Sequence, residues 1–142
     1  MLLTISGPDT AWTHGNLVQK DDACMLLAKL QTEAGDTKGA LVTLETAVQG
    51  RADDPWLMNE LVMEYADQGV CLDKALALIE SALKRQPENP VLFDTKGWVL
   101  FKLARTGEAK VAIERCLELL PEYEDAKEHF HLVSGHGRSG DR

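Results

Sequence analysis

The chain has 142 residues, of which 44% are hydrophobic, and a formal net charge of −8. That is room for one domain or one compact repeat array with a real core, and the acidic balance argues against nucleic acid or an anionic membrane surface as a partner. No apolar run approaches the ~18 residues of a membrane span, and three scattered cysteines (Cys24, Cys71 and Cys116) form no CxxC pair for zinc or disulfides.

Residues 1–20 read as an N-terminal extension. "MLLTI" is too short and lacks the basic flank of a signal peptide, so a cytoplasmic setting with reduced thiols is expected. "SGPD" is a turn signal, and Asn16 stands where it would cap a helix from Leu17 to Ala34. From residue 21 onward, apolar residues recur at helical spacing in stripes separated by short breaks. "PWLMNELVMEYADQG" and "DKALALIESALKRQ" form one helix pair, and "PVLFDTKGWVLFKLA" and "GEAKVAIERCLELL" another. Pro55 and Pro90 stand in or just before first helical turns, where a missing N–H is harmless. Pro87 and Pro121 stop the preceding helices. No segment alternates with period two long enough for a strand, so the fold class is all-α. "EDAKEHFHLV", residues 124–133, has the pattern of one more first helix, and "SGHGRSGDR", residues 134–142, reads as a flexible tail.

The stripes repeat. Ala40, Ala75 and Ala109 are 35 and 34 residues apart, and Leu44, Ile79 and Ile113 follow at the same spacings. So do Ala47, Ala82 and Cys116. Gly35 and Gly69 are 34 apart, as are Pro87 and Pro121, and Ala28, Val62 and Gly97 occupy one shared place. Three units result, 21–54, 55–89 and 90–123. A helix–turn–helix unit of this length with small residues where the paired helices cross resembles the tetratricopeptide repeat. "YADQGVCLDKALALIESALKRQPENPVLFDTKGWVLFKLARTGEA" further resembles a segment common in long bacterial proteins of that family. There are departures. The second unit has an extra residue in its turn, the third has Ala104 and Lys96 for glycine and leucine, and the first has Ala52 for its closing proline. The resemblance implies an α-solenoid of three repeats with 124–133 as the polar capping helix.

It also implies that the first helices line a concave face, and register then nominates Met25, Trp56, Asn59 and Met63 from the first two units. The third adds Asp94, Trp98, Phe101 and Lys102. Apolar anchors around one polar amide suit an amphipathic helix or extended peptide. Gly97 belongs at the close helix crossing, and Trp98, next round the helix, faces away from it. Trp98 and Phe101 are therefore expected to meet a partner, the chain's own extension (Leu2, Leu3, Ile5, Trp12) or capping helix, or a second copy. Some relatives grip a peptide carboxylate with Lys, Asn and Arg residues. The corresponding positions here, Met25, Lys29, Glu60, Val91 and Thr95, supply one base, so no such clamp is expected.

The chemical-looking motifs lack context. Gly135, Gly137 and Gly140 match GxGxxG, but no strand precedes them. His129 and His131 would point about 200° apart on a helix. Cys71 falls in a turn with no activating neighbour, and Cys116 takes an alanine-type packing place. The expectation is a non-catalytic protein–protein interaction module without cofactor or metal. The alternative is a self-associating unit or fragment of a longer array.

Overall fold

The computed structural model describes residues 23–139, and among them there are seven α-helices and no strand. They are α1 (Ala23–Glu33), α2 (Thr37–Gly50), α3 (Pro55–Gln68), α4 (Leu72–Arg85), α5 (Pro90–Lys102), α6 (Thr106–Leu119) and α7 (Glu124–Ser139). The helices pack as successive pairs, α1 with α2, α3 with α4 and α5 with α6, and α7 lies against α6 and α5. This is the all-α solenoid that the repeat period implies.

Local chemistry sets the helix ends. Asp54 and Asn89 cap α3 and α5, each just before a proline in the first turn. The Asp54 carboxylate accepts from the Trp56 and Leu57 amides at 3.0 and 3.3 Å, and Asn89 Oδ1 accepts from the Val91 amide at 2.9 Å. Asp36 does the same for α2, accepting from the Gly39 amide at 2.9 Å. Each first helix then ends in one recurring motif. Gly35, Gly69 and Ala104 adopt left-handed φ values of 88°, 70° and 65°. In each case their own amide reaches the carbonyl three residues back, and the next amide reaches five back from itself. The extra residue of the second turn is absorbed by another left-handed residue, Cys71, with φ 51°.

The crossing positions are packed to closure. Ala40, Ala75 and Ala109 are wholly buried, as are Val62, Ile79 and Ile113. Gly97 has the reason its place demands. A Cβ there would lie 2.5 Å from Ile113 Cγ1 and 3.0 Å from the Ala109 carbonyl oxygen. Two apolar clusters result. One runs through the first two units to Leu92 and Val99, and the other joins Leu100, Ile113 and Cys116 to Ala126 and Val133 of α7.

One boundary differs from expectation. Residues 134–139 continue α7 as helix instead of beginning a tail. Val133 is wholly buried and anchors the preceding turn, and adding residues to an existing helix costs far less than starting one. Gly135 and Gly137 therefore lie in a helix and form no phosphate loop. Asn16, the extension with Leu2, Leu3, Ile5 and Trp12, and residues 17–22 of the expected first helix lie outside the described residues.

Candidate functional site

Two pairs of neighbouring first helices touch, α3 with α5 and α5 with α7, whereas α1 has no comparable contact with α3 and none joins the second helices. The stack therefore curves with the first helices inside. Polar bridges run along this inner side from unit to unit. Thr32 Oγ1 donates to Glu64 at 3.2 Å, and Trp98 Nε1 donates to Asp67 Oδ1 at 3.1 Å. His129 Nδ1 donates to the two Asp94 carboxylate oxygens at 2.9 and 3.0 Å.

Four of the eight nominated residues form one cluster at the C-terminal end. The Trp98 ring stacks on Phe101 at 5.4 Å between centroids, and Lys102 Nζ lies 4.9 Å from its centre. A third partner is the imidazole of His129, stacked at 4.3 Å with 23° between planes. Asp94, 3% exposed, is held by that same imidazole. The α7 helix thus meets Trp98, as one of the sequence expectations allowed. The other four lie on α1 and α3. Met25, Trp56 and Met63 are half-buried. Asn59 is 5% exposed, and its Oδ1 has no hydrogen-bond partner.

Electrostatics tie the C-terminal cluster together. Burial pushes the Asp94 carboxyl up from its ordinary value, and the hydrogen bond from His129 pulls it part of the way back. At His129, burial opposes the charged ring. The hydrogen bond to Asp94 and the negative potential of Asp94, Asp125 and Glu128 outweigh it, so its pKa stands above that of a free histidine. His131, two residues on, is exposed. Burial also pushes the Cys116 thiol well above its ordinary range, which leaves it inert at neutral pH. Among the described residues, no group of three or more His, Cys, Asp or Glu side chains is placed to hold a metal, and no helix is long and apolar enough to cross a membrane.

Sequence reading had assigned no role to His129 or Asp67. Both pairings carry a signal nonetheless. Asp94 and His129 are 35 residues apart, and Asp67 and Trp98 are 31 apart. Separations near the repeat length place side chains on adjacent first helices, so complementary residues one period apart are candidates for contact.

Stacked helix pairs of this period, closed by a single helix, define an α-helical repeat protein. Comparison with known proteins specifies which kind. No protein-family model matches the chain. It is 26% identical over 83 residues to a TPR repeat-containing protein of Pseudomonas aeruginosa, a match covering 58% of this chain and 14% of that one. The chain thus spans about one seventh of that relative's length. Its fold matches the first TPR domain of human RPAP3 with a TM-score of 0.72 at 18% identity, over 84% of this chain and 93% of that one. It also matches the first TPR of Spaghetti (RPAP3), solved bound to the HSP90 peptide SRMEEVD, with a TM-score of 0.68 at 18% identity, over 80% and 90% of the two chains. The chain has the tetratricopeptide-repeat fold.

Proposed function

We propose that the protein is a non-catalytic interaction module that takes a peptide or helix of a partner protein on its inner face. One observation carries this reading. Asn59 sits between the half-buried Trp56 and Met63 on α3 with its carbonyl oxygen buried and unpaired. Such an orphan acceptor costs roughly 1–3 kcal/mol, and a backbone N–H delivered by a docked segment would satisfy it after a small turn of the side chain. Met25, Trp56 and Met63 then supply the apolar contact, with Trp98, Phe101 and Lys102 at the far end. Covering the exposed part of Trp98 adds up to about 2–3 kcal/mol on area grounds.

The peptide held by the solved neighbour is not the ligand we favour. Of the five clamp positions, Val91 and Thr95 are buried, at 7% and 2% exposure, and Glu60 is an acid. An internal segment with apolar anchors fits these residues better than a terminal carboxylate. Nucleic acid and direct membrane contact are disfavoured by the net charge of −8.

The test is a pull-down from the source organism, comparing the wild type with Met63→Glu after circular dichroism has shown that the variant folds. A partner retained by the wild type and lost by the variant supports the inner face. Equal retention by both overturns it.

One feature favours a second reading, self-association or stacking on further repeats. Leu26, Leu27 and Leu30 on α1 are 58%, 49% and 53% exposed, whereas Leu61, in the place of Leu27 one unit on, is 2% exposed.

A further inference from the structure

We propose that the His129–Asp94 contact is a proton-dependent latch, which holds α7 across the Trp98 ring and so closes the C-terminal end of the inner face to partners. The clause about partners rests on the interaction reading above, and the latch itself does not.

The geometry sets one imidazole to two tasks. Its Nδ1 reaches both oxygens of Asp94, and its face lies 4.3 Å from Trp98, the largest side chain on the inner side of α5. Trp98 is in turn fixed from α3 by the bond from its Nε1 to Asp67. His129 is thus the point at which α7 engages the surface nominated for binding. The rest of α7 is held by Ala126, Phe130 and Val133, which pack on or against the second core cluster.

The charged groups around this imidazole are mostly acidic. The α5 helix contributes Asp94, with Lys102 on the Trp98 ring, and α3 contributes Asp67 through Trp98. From α7 itself come Asp125 and Glu128. Cys116 of α6 faces Asp94, and Tyr123 lies before α7. Burial pushes both of these up, away from neutral pH. Within reach, His129 is therefore the group whose ordinary range lies nearest neutrality, and its surroundings raise it from there.

The sign of the effect follows from linkage. The His129 pKa in the folded chain is raised above the free value of 6.5. Its contribution is fully present below about pH 6.5 and is lost as pH climbs through the folded-state value. Losing the proton at Nε2 leaves Nδ1–H donating to Asp94, but a neutral ring no longer compensates the nearly buried carboxylate charge, so the contact weakens. The Asp94 shift has the same sign, because burial disfavours its charged form, but its window opens at the free carboxyl value of 3.8. Above pH 6.5 the loosening of α7 comes from His129 alone.

Hydrogen exchange of the full chain at pH 6 and pH 8.5, corrected for intrinsic rates, tests the latch without any partner. We expect the α7 amides near His129 to open several-fold more often at pH 8.5, with α4 unchanged as the internal reference. His129→Arg, which keeps the charge, and His129→Gln, which removes it, should both abolish the pH dependence. His131→Gln should retain it. Equal opening of wild-type α7 at the two pH values overturns the latch, as does a pH response surviving in folded His129→Gln. Failure to find any partner would sink the interaction reading and leave these exchange results standing.

Discussion

Three residues at one place in the repeat show how much a single backbone position can decide. Gly35 and Gly69 end their helices in the left-handed region at no steric cost, and a Cβ at either would touch nothing within 4 Å. Ala104 adopts the same conformation with φ 65° and makes the same pair of closing hydrogen bonds, from its own amide and that of Arg105, both at 2.9 Å. An L-residue there carries roughly 1–2 kcal/mol of strain, which the surrounding unit over-determines. The loss of alanine's smaller unfolded-state entropy offsets part of the gain from glycine. Ala104→Gly should therefore raise stability by about 1 kcal/mol, read as a higher urea midpoint at unchanged slope. No change or a loss would show that the turn is held without strain. The sequence departure at 104 is thus a change of residue without a change of conformation.

At the scale of the element, the pairing of α5 with α6 depends on a residue that weakens the isolated helix. Glycine costs about 1 kcal/mol relative to alanine in a helix interior, so Gly97→Ala would stabilise α5 alone. In the pair it meets Ile113 Cγ1 at 2.5 Å and the Ala109 carbonyl oxygen at 3.0 Å. The isoleucine can give way only into a wholly buried site, and the carbonyl belongs to the helix backbone. Overpacking of this kind costs roughly 1–3 kcal/mol, which exceeds the propensity gain. Urea unfolding should show Gly97→Ala less stable than the wild type. A stabilised variant would mean that the two helices are free to move apart. Ala28 and Val62 at the same place show that the earlier crossings are more open, because both carry a Cβ without losing burial.

At the scale of the whole molecule, the two ends of the stack formed by the described residues are not alike. The C-terminal end is closed by α7, whose Ala126 and Val133 complete the second cluster. Its outward side carries Glu124, Lys127 and Glu128, all exposed. The face of α1 presents Leu26, Leu27 and Leu30 instead, whereas Leu61 in the place of Leu27 and Val99 in the place of Leu30 are buried, and the place of Leu26 in α3 is taken by an exposed acid, Glu60. Arrays of this kind need polar end faces to stay monomeric. If the leucines are a stacking surface, light scattering should give a mass that rises with concentration, and Leu27→Lys with Leu30→Glu should return it to that of one chain. A monomeric mass for the wild type across the range would remove the self-association reading.

Much of this architecture was legible in the amino-acid sequence because it depends on local rules. The 34-residue period, the prolines after aspartate and asparagine caps, and the alanines at helix crossings each act within one helix pair, so a short window records them. The nomination of Trp98, Phe101 and Lys102 came from the repeat register that the family resemblance implies. What only the tertiary structure decided lies between units. The stacking of His129 on Trp98, the burial of Asp94 beneath it, the bridge from Trp98 to Asp67 and the continuation of α7 to Ser139 were all absent from the sequence reading. These contacts depend on the angle at which one unit turns on the next, an angle summed from many small packing choices spread over about 35 residues. No single stretch of sequence carries that sum, which is why the period could be read directly and the contents of the inner face could not.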